Sequence, residues 1–187
     1  MSSLNLIRRG GLAAMLGGVV WIIYALLGLA GGDMEESNPL DILIIIAWLL
    51  QVVGVVGFHT LQKRNYGRIG RAGFYTIIAA ASVQIVAQVG LMLGSTAVEF
   101  LDFLGLLGLM VGFVLYGAAT LQARVLPRWC GVGFIVGLPV WWVVSVVLGN
   151  EYGGSLGGML FALLWLALGY VLWSRRGMAV EEAPRVS

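Results

Sequence analysis

The sequence predicts an all-α protein with six transmembrane helices, and three observations support this fold class. Hydrophobic residues make up 60% of the 187 residues and charged residues 11%, whereas about 25% of the residues of a typical soluble domain are charged. Six apolar stretches come close to the roughly 20 residues that a helix needs to cross a bilayer. If each stretch is one span, all eleven Lys and Arg residues lie on the same side of the membrane. We therefore predict one polytopic membrane domain over residues 1–187.

The six stretches contain no Asp, Glu, Lys or Arg, and only the fifth contains proline, at Pro139. Because backbone N–H and C=O groups in lipid must be hydrogen-bonded within the protein, each stretch is expected to form a helix. Pro139 is expected to bend the fifth helix, since proline removes one backbone hydrogen bond. The predicted spans are Leu12–Ala30, Ile42–Leu61, Ala72–Leu93, Phe103–Leu121, Cys130–Leu148 and Leu156–Trp173.

The charged residues predict the orientation. One side of the membrane receives Arg8, Arg9, Lys63, Arg64, Arg68, Arg71, Arg124, Arg128, Arg175, Arg176 and Arg185. The opposite side receives Asp33, Glu35, Glu36, Asp41, Glu99, Asp102 and Glu151. By the positive-inside rule, both termini are predicted to be cytoplasmic, with a short polar tail at residues 177–187. The expected location is the cytoplasmic (inner) membrane of a bacterium.

An internal similarity suggests that the chain is built from repeated helix hairpins. Residues 57–64 match residues 117–124 at five of eight positions, and three further identities follow at the same offset of sixty. We therefore predict three hairpins of parallel orientation, at about residues 11–62, 72–122 and 130–174, related by an axis along the membrane normal. The alternative is convergence, because positive-inside topology itself places basic residues after every second span.

Acidic residues mark the start of the fourth helix. Thr96 and Glu99 have the spacing of a capping box, in which each side chain bonds to the backbone N–H of the other residue. Asp102 follows Glu99 by three residues, so both carboxylates are expected to stabilise the positive end of the helix dipole.

Glycine is abundant, at 28 residues, and it often recurs with another small residue four positions away, as at Gly108 and Gly112. Small residues at this spacing allow close approach of helix backbones in a membrane. We expect these glycine-rich faces to pack the six helices together. The alternative is contact with a second copy or with a partner membrane protein through one such face.

Few polar side chains fall within the spans, and three of them are glutamines. Gln51 lies near the middle of the second span, and Gln84 and Gln88 lie one helical turn apart in the third. Because an unpartnered amide in hydrocarbon costs several kcal/mol (about 4–8 on the most apolar scale), we expect these three amides to bond to one another or to a water. They act either as interhelical contacts or as the lining of a polar cavity between the first two hairpins.

A second candidate site lies near the basic side of the membrane. His59 is the only histidine of the chain, and Lys63 and Arg64 follow it within about one turn. The histidine is expected to be structural or, together with Lys63 and Arg64, to contact an anionic lipid headgroup.

The small number of reactive side chains argues against most enzyme classes. Disulfide chemistry needs paired cysteines, but Cys130 is the only one, and bis-histidine haem needs a second histidine. No His, Cys, Asp or Glu residues have metal-ligand spacing, and the net charge of +2 does not fit a nucleic-acid-binding protein. No acid lies in the middle of a span, which disfavours proton-coupled transport. We therefore predict no catalytic residues, no metal and no cofactor.

The second half of the chain resembles a group of uncharacterised bacterial six-helix membrane proteins. The similarity is carried by Tyr116-Gly117, by Val125-Leu126-Pro127-Arg128 and by the closing segment Leu168–Trp173. It implies the six-helix fold and no particular activity.

Together these observations predict a non-enzymatic membrane protein that binds a lipid or another apolar ligand, or that serves as a partner subunit. Membrane lipids are its expected partners. The alternative function is a small transporter or channel for a neutral or lipophilic solute, with Gln51, Gln84 and Gln88 along its path.

Overall fold

A computed structural model describes residues 3–31 and 42–174. In this part of the chain the secondary structure is entirely helical, and six helices are long and apolar enough to cross a membrane. The prediction of an all-α protein with six candidate spans is therefore confirmed. The tail at residues 177–187 and the acidic residues at 33–41 lie outside the described residues. The helices are α1 Ser3–Gly31, α2 Ile42–Gln62, α3 Arg68–Met92, α4 Glu99–Ala123, α5 Arg128–Leu148 and α6 Asn150–Ser174.

Most helices extend beyond the apolar stretches that predicted them. α3 begins at Arg68 and α5 begins at Arg128. A long arginine side chain in the first turn can extend its charged group into water while its backbone is already part of the helix. α4 begins at Glu99 with Asp102 in its first turn, as expected. The prediction of a capping box is wrong, however. Thr96 lies in a short 3₁₀ turn, Thr96–Val98, and neither this turn nor α4 has a side-chain cap.

The connection between α3 and α4 is short and well defined. Gly94 has a φ of +75°, a conformation that glycine adopts without steric cost. The backbone N–H of Ser95 donates to the carbonyl of Gly90 at 3.0 Å. A Cβ at Gly90 would lie 2.7 Å from Val98 Cγ2, so the turn packs directly onto the end of α3.

The six helices form a ring in which each helix packs against the next, and α6 packs against α1. The α1–α6 and α3–α4 contacts are the most extensive, and the α2–α3 contact is the smallest of the ring. The N-terminal ends of α1, α3 and α5 meet the C-terminal ends of α2, α4 and α6. This end carries every described Lys and Arg, and we call it the basic end; the opposite end, with Glu99 and Asp102, is the acidic end.

Glycines bring the helix backbones together near the basic end. A Cβ at Gly57 of α2 would lie 2.8 Å from Gly10 Cα of α1, and one at Gly117 of α4 would lie 2.6 Å from the Gly131 carbonyl oxygen of α5. Gly11 of α1 is equally close to α6. Because no larger residue fits these positions without movement, the glycines fix how closely the helices approach.

Aromatic side chains fill the centre of the ring in two layers. Near the basic end, Phe134 lies 5.2 Å from Phe58, 6.0 Å from Phe113 and 6.1 Å from Trp165, measured between ring centroids. These rings come from α2, α4, α5 and α6. Nearer the acidic end, the aromatic layer comes from α1, α2, α5 and α6 alone: Trp21, Trp48, Trp141 and Phe161. The hairpin of α3 and α4 therefore joins the aromatic core only in the basic half.

Candidate functional site

Two of the three predicted glutamines meet at one carboxylate. Nε2 of Gln84 donates to Oδ1 of Asp102 at 2.5 Å, and Nε2 of Gln88 donates to the same oxygen at 2.7 Å. Hydrogen bonds to an ionised group are shorter and about twice as strong as neutral ones. Asp102 thus stabilises the α3–α4 pair through side-chain hydrogen bonds. The sequence predicted only the interaction of Asp102 with the dipole of α4, not this contact with α3.

The position of Asp102 on α4 directs it toward the inside of the ring. It lies four residues before Leu106, and the same helical face continues through Leu109, Phe113 and Tyr116. Leu109, Phe113 and Tyr116 are fully or almost fully buried in the core. Asp102 itself is half-buried at the acidic end of this face.

Gly105 provides the space for the Gln84 amide. A Cβ at Gly105 would lie 2.6 Å from Gln84 Oε1 and 3.1 Å from the Gln84 backbone nitrogen. Among the described residues the amide oxygen has no hydrogen-bond partner, although Gln84 is buried. The absence of a side chain at Gly105 therefore allows Gln84 to lie flat between α3 and α4 and to direct its N–H at Asp102.

Gln51 lies apart from the other two glutamines. It is only 2% exposed, and it shares a face of α2 with the core residues Trp48, Val55 and Phe58. Its side chain packs beside Gly17 of α1, and neither its amide nitrogen nor its amide oxygen has a hydrogen-bond partner in the described part of the chain. The three amides therefore do not bond to one another: two bind Asp102, and a bond from Gln51 to a water stays a prediction.

The side chains of α5 on its α4 side become more exposed toward the acidic end. On the side of α5 that faces α4, exposure rises from 1% at Leu138 to 48% at Trp142 and 61% at Val146. On α4, Phe103 is 53% exposed, and so in large part are Leu107 (42%) and Val114 (40%) on the same side of the helix. Pro139, which has no N–H to donate to the preceding turn, lies between the buried Leu138 and the exposed Trp142.

We call this exposed part of the α4–α5 boundary the α4–α5 cleft, and define it by Phe103 and Leu106 on α4 and Trp142 and Val146 on α5. All four side chains are apolar. A further shallow groove of about 220 Å³ lies elsewhere on the α3–α4 pair, lined by Ser82, Val83, Val86 and Leu101.

The second predicted site is part of a hydrogen-bonded chain at the basic end. The Tyr66 hydroxyl is hydrogen-bonded to Nδ1 of His59 and also to the Tyr116 hydroxyl, and Gln62 Nε2 donates to Tyr116 at 3.4 Å. The His59 ring stacks on Phe74 at 3.9 Å between centroids. Because Tyr66 belongs to the α2–α3 connection, this chain ties that connection to α2 and α4.

Burial raises the pKa of Tyr66 to about 12, with a smaller contribution from Tyr75. The guanidinium of Arg71 and the hydrogen bond to Tyr116 act in the opposite direction. The hydroxyl of Tyr66 is therefore a hydrogen-bonding group rather than an anion at any physiological pH.

Lys63 and Arg64 are exposed beside this chain, while His59 is half-buried. With Nδ1 of His59 bonded to Tyr66 and one ring face covered by Phe74, the histidine takes part mainly in protein contacts. The two cations are open to a headgroup, and the contact predicted for His59, Lys63 and Arg64 stays a prediction.

The glycine-rich faces are covered within the chain. A Cβ at Gly108 would meet Ala80, one at Gly112 would meet Ile77, and one at Gly18 would meet the Ala162 carbonyl oxygen. These three glycines contact neighbouring helices of the same chain, and contact with a second copy or a partner subunit through another small-residue face stays a prediction. Among the described residues no three His, Cys, Asp or Glu side chains are placed to hold a metal ion.

Sequence reasoning missed several residues of these sites, namely Gln62, Tyr66, Gly105 and Tyr116. The signal for Asp102 was present, because its spacing to Leu106, Leu109 and Phe113 is that of one helical face. Tyr66 and Tyr116 are fifty residues apart in sequence, and no local pattern connects them. No protein-family model matches this chain, and no curated protein or solved structure matches it either.

Proposed function

We propose that this chain is a non-enzymatic membrane protein that binds a lipid or another apolar ligand in the α4–α5 cleft. The observation that carries the proposal is the exposure of Phe103, Trp142 and Val146, whereas Leu138, one turn before Trp142 on the same face of α5, is buried. An apolar opening within a helix bundle is a usual place for a small-molecule site. A membrane ligand reaches this opening directly from the bilayer.

The proposed setting is the bacterial cytoplasmic membrane, with the basic end and both termini in the cytoplasm. The distribution of all eleven basic residues supports this orientation. The three-hairpin repeat is part of the proposal too: Thr60 and Thr120, which correspond in the repeat, each donate a hydrogen bond to the carbonyl four residues earlier. The resemblance to uncharacterised bacterial six-helix proteins is consistent with the same setting.

The test replaces one wall of the cleft and measures the ligand that stays bound. Purified Trp142→Ala is compared with Trp129→Ala, which removes a similarly exposed tryptophan from the basic end of the same helix. Native mass spectrometry counts the lipid or other small molecule retained by each protein. We expect Trp142→Ala to retain at least threefold less than the wild type, because the apolar contact area is lost.

We expect Trp129→Ala to retain as much ligand as the wild type. Equal retention by Trp142→Ala and wild type, or equal loss in both variants, would contradict a ligand in this cleft.

A small transporter or channel is the second candidate. It is favoured by the buried, unpartnered amide of Gln51, which needs a water or a solute as its partner. Alanine at Gln51, Gln84 and Gln88, assayed for solute flux in liposomes, separates the two functions. Flux that is absent in the wild type, or unchanged in the triple variant, contradicts a path along these residues.

A further inference from the structure

The hydrogen-bonded chain at the basic end determines which ring nitrogen of His59 carries the proton. Gln62 Nε2 donates to the Tyr116 hydroxyl at 3.4 Å, so Tyr116 donates its own proton to Tyr66, to which it is also hydrogen-bonded. The Tyr66 hydroxyl has one proton, and its acceptor is Nδ1 of His59. Because Nδ1 accepts, the N–H of the ring is at Nε2. The chain therefore holds His59 as a hydrogen-bond donor on the ring edge that is away from Tyr66.

Two cations flank this ring from facing helices. Lys63 follows His59 by one helical turn, and its backbone N–H donates to the His59 carbonyl at 2.8 Å. On α3, Phe74 stacks on the His59 ring at 3.9 Å between centroids, and Arg71 precedes Phe74 by about one turn. The positive charges of Lys63 and Arg71 both act on His59, and Arg71 also acts on Tyr66. One N–H donor and two cations thus lie together where α2 ends and α3 begins.

The charges of Lys63 and Arg71 favour an anion at this place. Both side chains are exposed, and no Asp or Glu among the described residues lies at the basic end. Like charges on neighbouring helices repel each other, and an anion between them replaces this repulsion by attraction. Residues within one turn of the end of a span lie at the level of the lipid headgroups. Basic groups between transmembrane helices at this level are typical of sites for anionic headgroups.

We infer that His59, Lys63 and Arg71 form a site for a phosphate group without a cationic substituent, as found in phosphatidylglycerol or in a soluble phosphate ester. His59 donates from Nε2 to a phosphate oxygen, and the two cations balance the charge. Tyr66 is a positioning residue, because it acts only through Nδ1 of His59. The site lies at the opposite end of the ring from the α4–α5 cleft, so the inference does not depend on the proposed function.

The first test measures lipid binding to purified protein in detergent at one ionic strength. Dioctanoyl phosphatidylglycerol is the anionic probe, and dioctanoyl phosphatidylcholine, whose ammonium group cancels the phosphate charge, is the reference. We expect the wild type to prefer phosphatidylglycerol about tenfold, and Arg71→Gln to lose most of this preference, because one charged hydrogen bond contributes about this factor. Arg128→Gln removes an exposed arginine from the start of α5 at the same end. It is expected to bind within about twofold of the wild type.

Three results of this test would overturn the inference. Equal weakening by Arg71→Gln and Arg128→Gln would reduce the effect to a general attraction between the basic end and anionic lipids. Equal binding of the two lipids by the wild type would remove the preference itself. Loss of the preference in Trp142→Ala would place the lipid in the α4–α5 cleft, whereas we expect this variant to keep it.

The second test needs no substitution, because His59 is the only histidine of the chain. Nitrogen NMR of protein with labelled histidine and no polyhistidine tag observes this one ring. We expect the proton on Nε2, and a shift of the Nε2 signal with phosphatidylglycerol but not with phosphatidylcholine. Tyr66→Phe is expected to give a mixture of the two tautomers and weaker binding. A proton on Nδ1 in the wild type, or an Nε2 signal that phosphatidylglycerol leaves unchanged, would overturn the inference.

Glycerol phosphate identifies the source of the phosphate group, because it has the charge without the acyl chains. We expect it to shift the Nε2 signal only at concentrations about tenfold or more above those of phosphatidylglycerol, since the lipid also buries apolar surface. Equal or tighter binding of glycerol phosphate would support the phosphate site and identify a soluble ester as its ligand. No shift with either compound would overturn the inference and leave the proposed function of the cleft unaffected.

Discussion

The basic half and the acidic half of this helix ring are built differently. In the basic half, glycines such as Gly10, Gly57 and Gly117 bring neighbouring backbones together, and Phe134 contacts aromatic rings from three other helices. In the acidic half, α3 and α4 contact each other through Gln84 and Asp102 but contribute no ring to the aromatic layer.

This difference shows how one chain combines a fixed end with an accessible end. Dense packing of small residues and interlocking rings specifies the arrangement of the basic half. In the acidic half the hairpin of α3 and α4 is held to itself by hydrogen bonds, and Trp142 and Val146 of the neighbouring α5 are exposed. We therefore expect substitutions in the two halves to change the stability of the protein by different amounts.

The largest effect is expected from Phe134→Ala. The ring of Phe134 lies at the junction of α2, α4, α5 and α6. Its removal therefore leaves a cavity that the surrounding side chains fill only in part. Large-to-small changes of this kind cost about 3–5 kcal/mol. Thermal unfolding in detergent, followed by the loss of monodisperse protein, measures the change.

Trp142→Ala is the matched substitution in the acidic half, and we expect it to lower stability by less than about 1 kcal/mol, because a half-exposed side chain leaves no closed cavity. A drop for Trp142→Ala as large as that for Phe134→Ala would break the comparison between the two halves.

An intermediate effect is expected from Gln84→Leu. This change removes one of the two donors to Asp102 and leaves a half-buried carboxylate with fewer hydrogen bonds, which costs about 1–3 kcal/mol. Gln51→Leu is the control. It replaces an amide with two unpartnered polar atoms, so it is expected to be neutral or stabilising.

The same thermal unfolding assay, applied to both variants, shows which of the two is less stable. If Gln51→Leu destabilises the protein as much as Gln84→Leu, the Gln51 amide has a partner such as a bound water. In that case the contrast between the two glutamines does not hold.

The smallest effect is expected from high pH acting on Tyr66. Its pKa is raised to about 12 in the folded protein from an ordinary value of 10. Below pH 10 the hydroxyl is protonated in both states, so its contribution to stability is fully present. Between pH 10 and about 12 the unfolded state loses its proton first, so stability falls.

The measurement compares the melting temperature of the wild type, Tyr66→Phe and Tyr152→Phe from pH 8 to pH 11. Tyr66→Phe is expected to show a shallower decrease above pH 10 than the wild type, and Tyr152→Phe, whose ring is exposed, is expected to follow the wild type. Parallel curves for wild type and Tyr66→Phe would show that Tyr66 does not contribute to the basic end in this way.

The sequence was sufficient to predict the helices, because their main determinant is local. An uninterrupted apolar run of about 20 residues specifies a span without reference to its neighbours. The ends were predicted less well: α4 begins four residues before Phe103, and α6 begins six residues before Leu156. Polar and glycine residues at these ends continue the helix where the apolar count stops.

The candidate sites were predicted only in part, since they depend on which helices become neighbours. Spacing placed Gln84 and Gln88 on one face of α3 correctly, but it did not show that Asp102 of α4 faces them. Gln51 has the same residue type and a similar depth, yet it belongs to the face of α2 beside α1. The order of helices around the ring decides these contacts, and periodicity within one helix carries no information about that order.

The turn at residues 93–98 sets the rotational phase of α4 relative to α3. Because each residue of a helix advances by about 100°, one extra residue in this turn would rotate the Asp102 carboxylate away from Gln84 and Gln88 and toward the lipid. Homologous chains that keep all three side chains but differ in the length of this turn would therefore lack the same constellation. When relatives of this protein are compared, the spacing from Gln88 to Asp102 is as diagnostic as the identity of the residues.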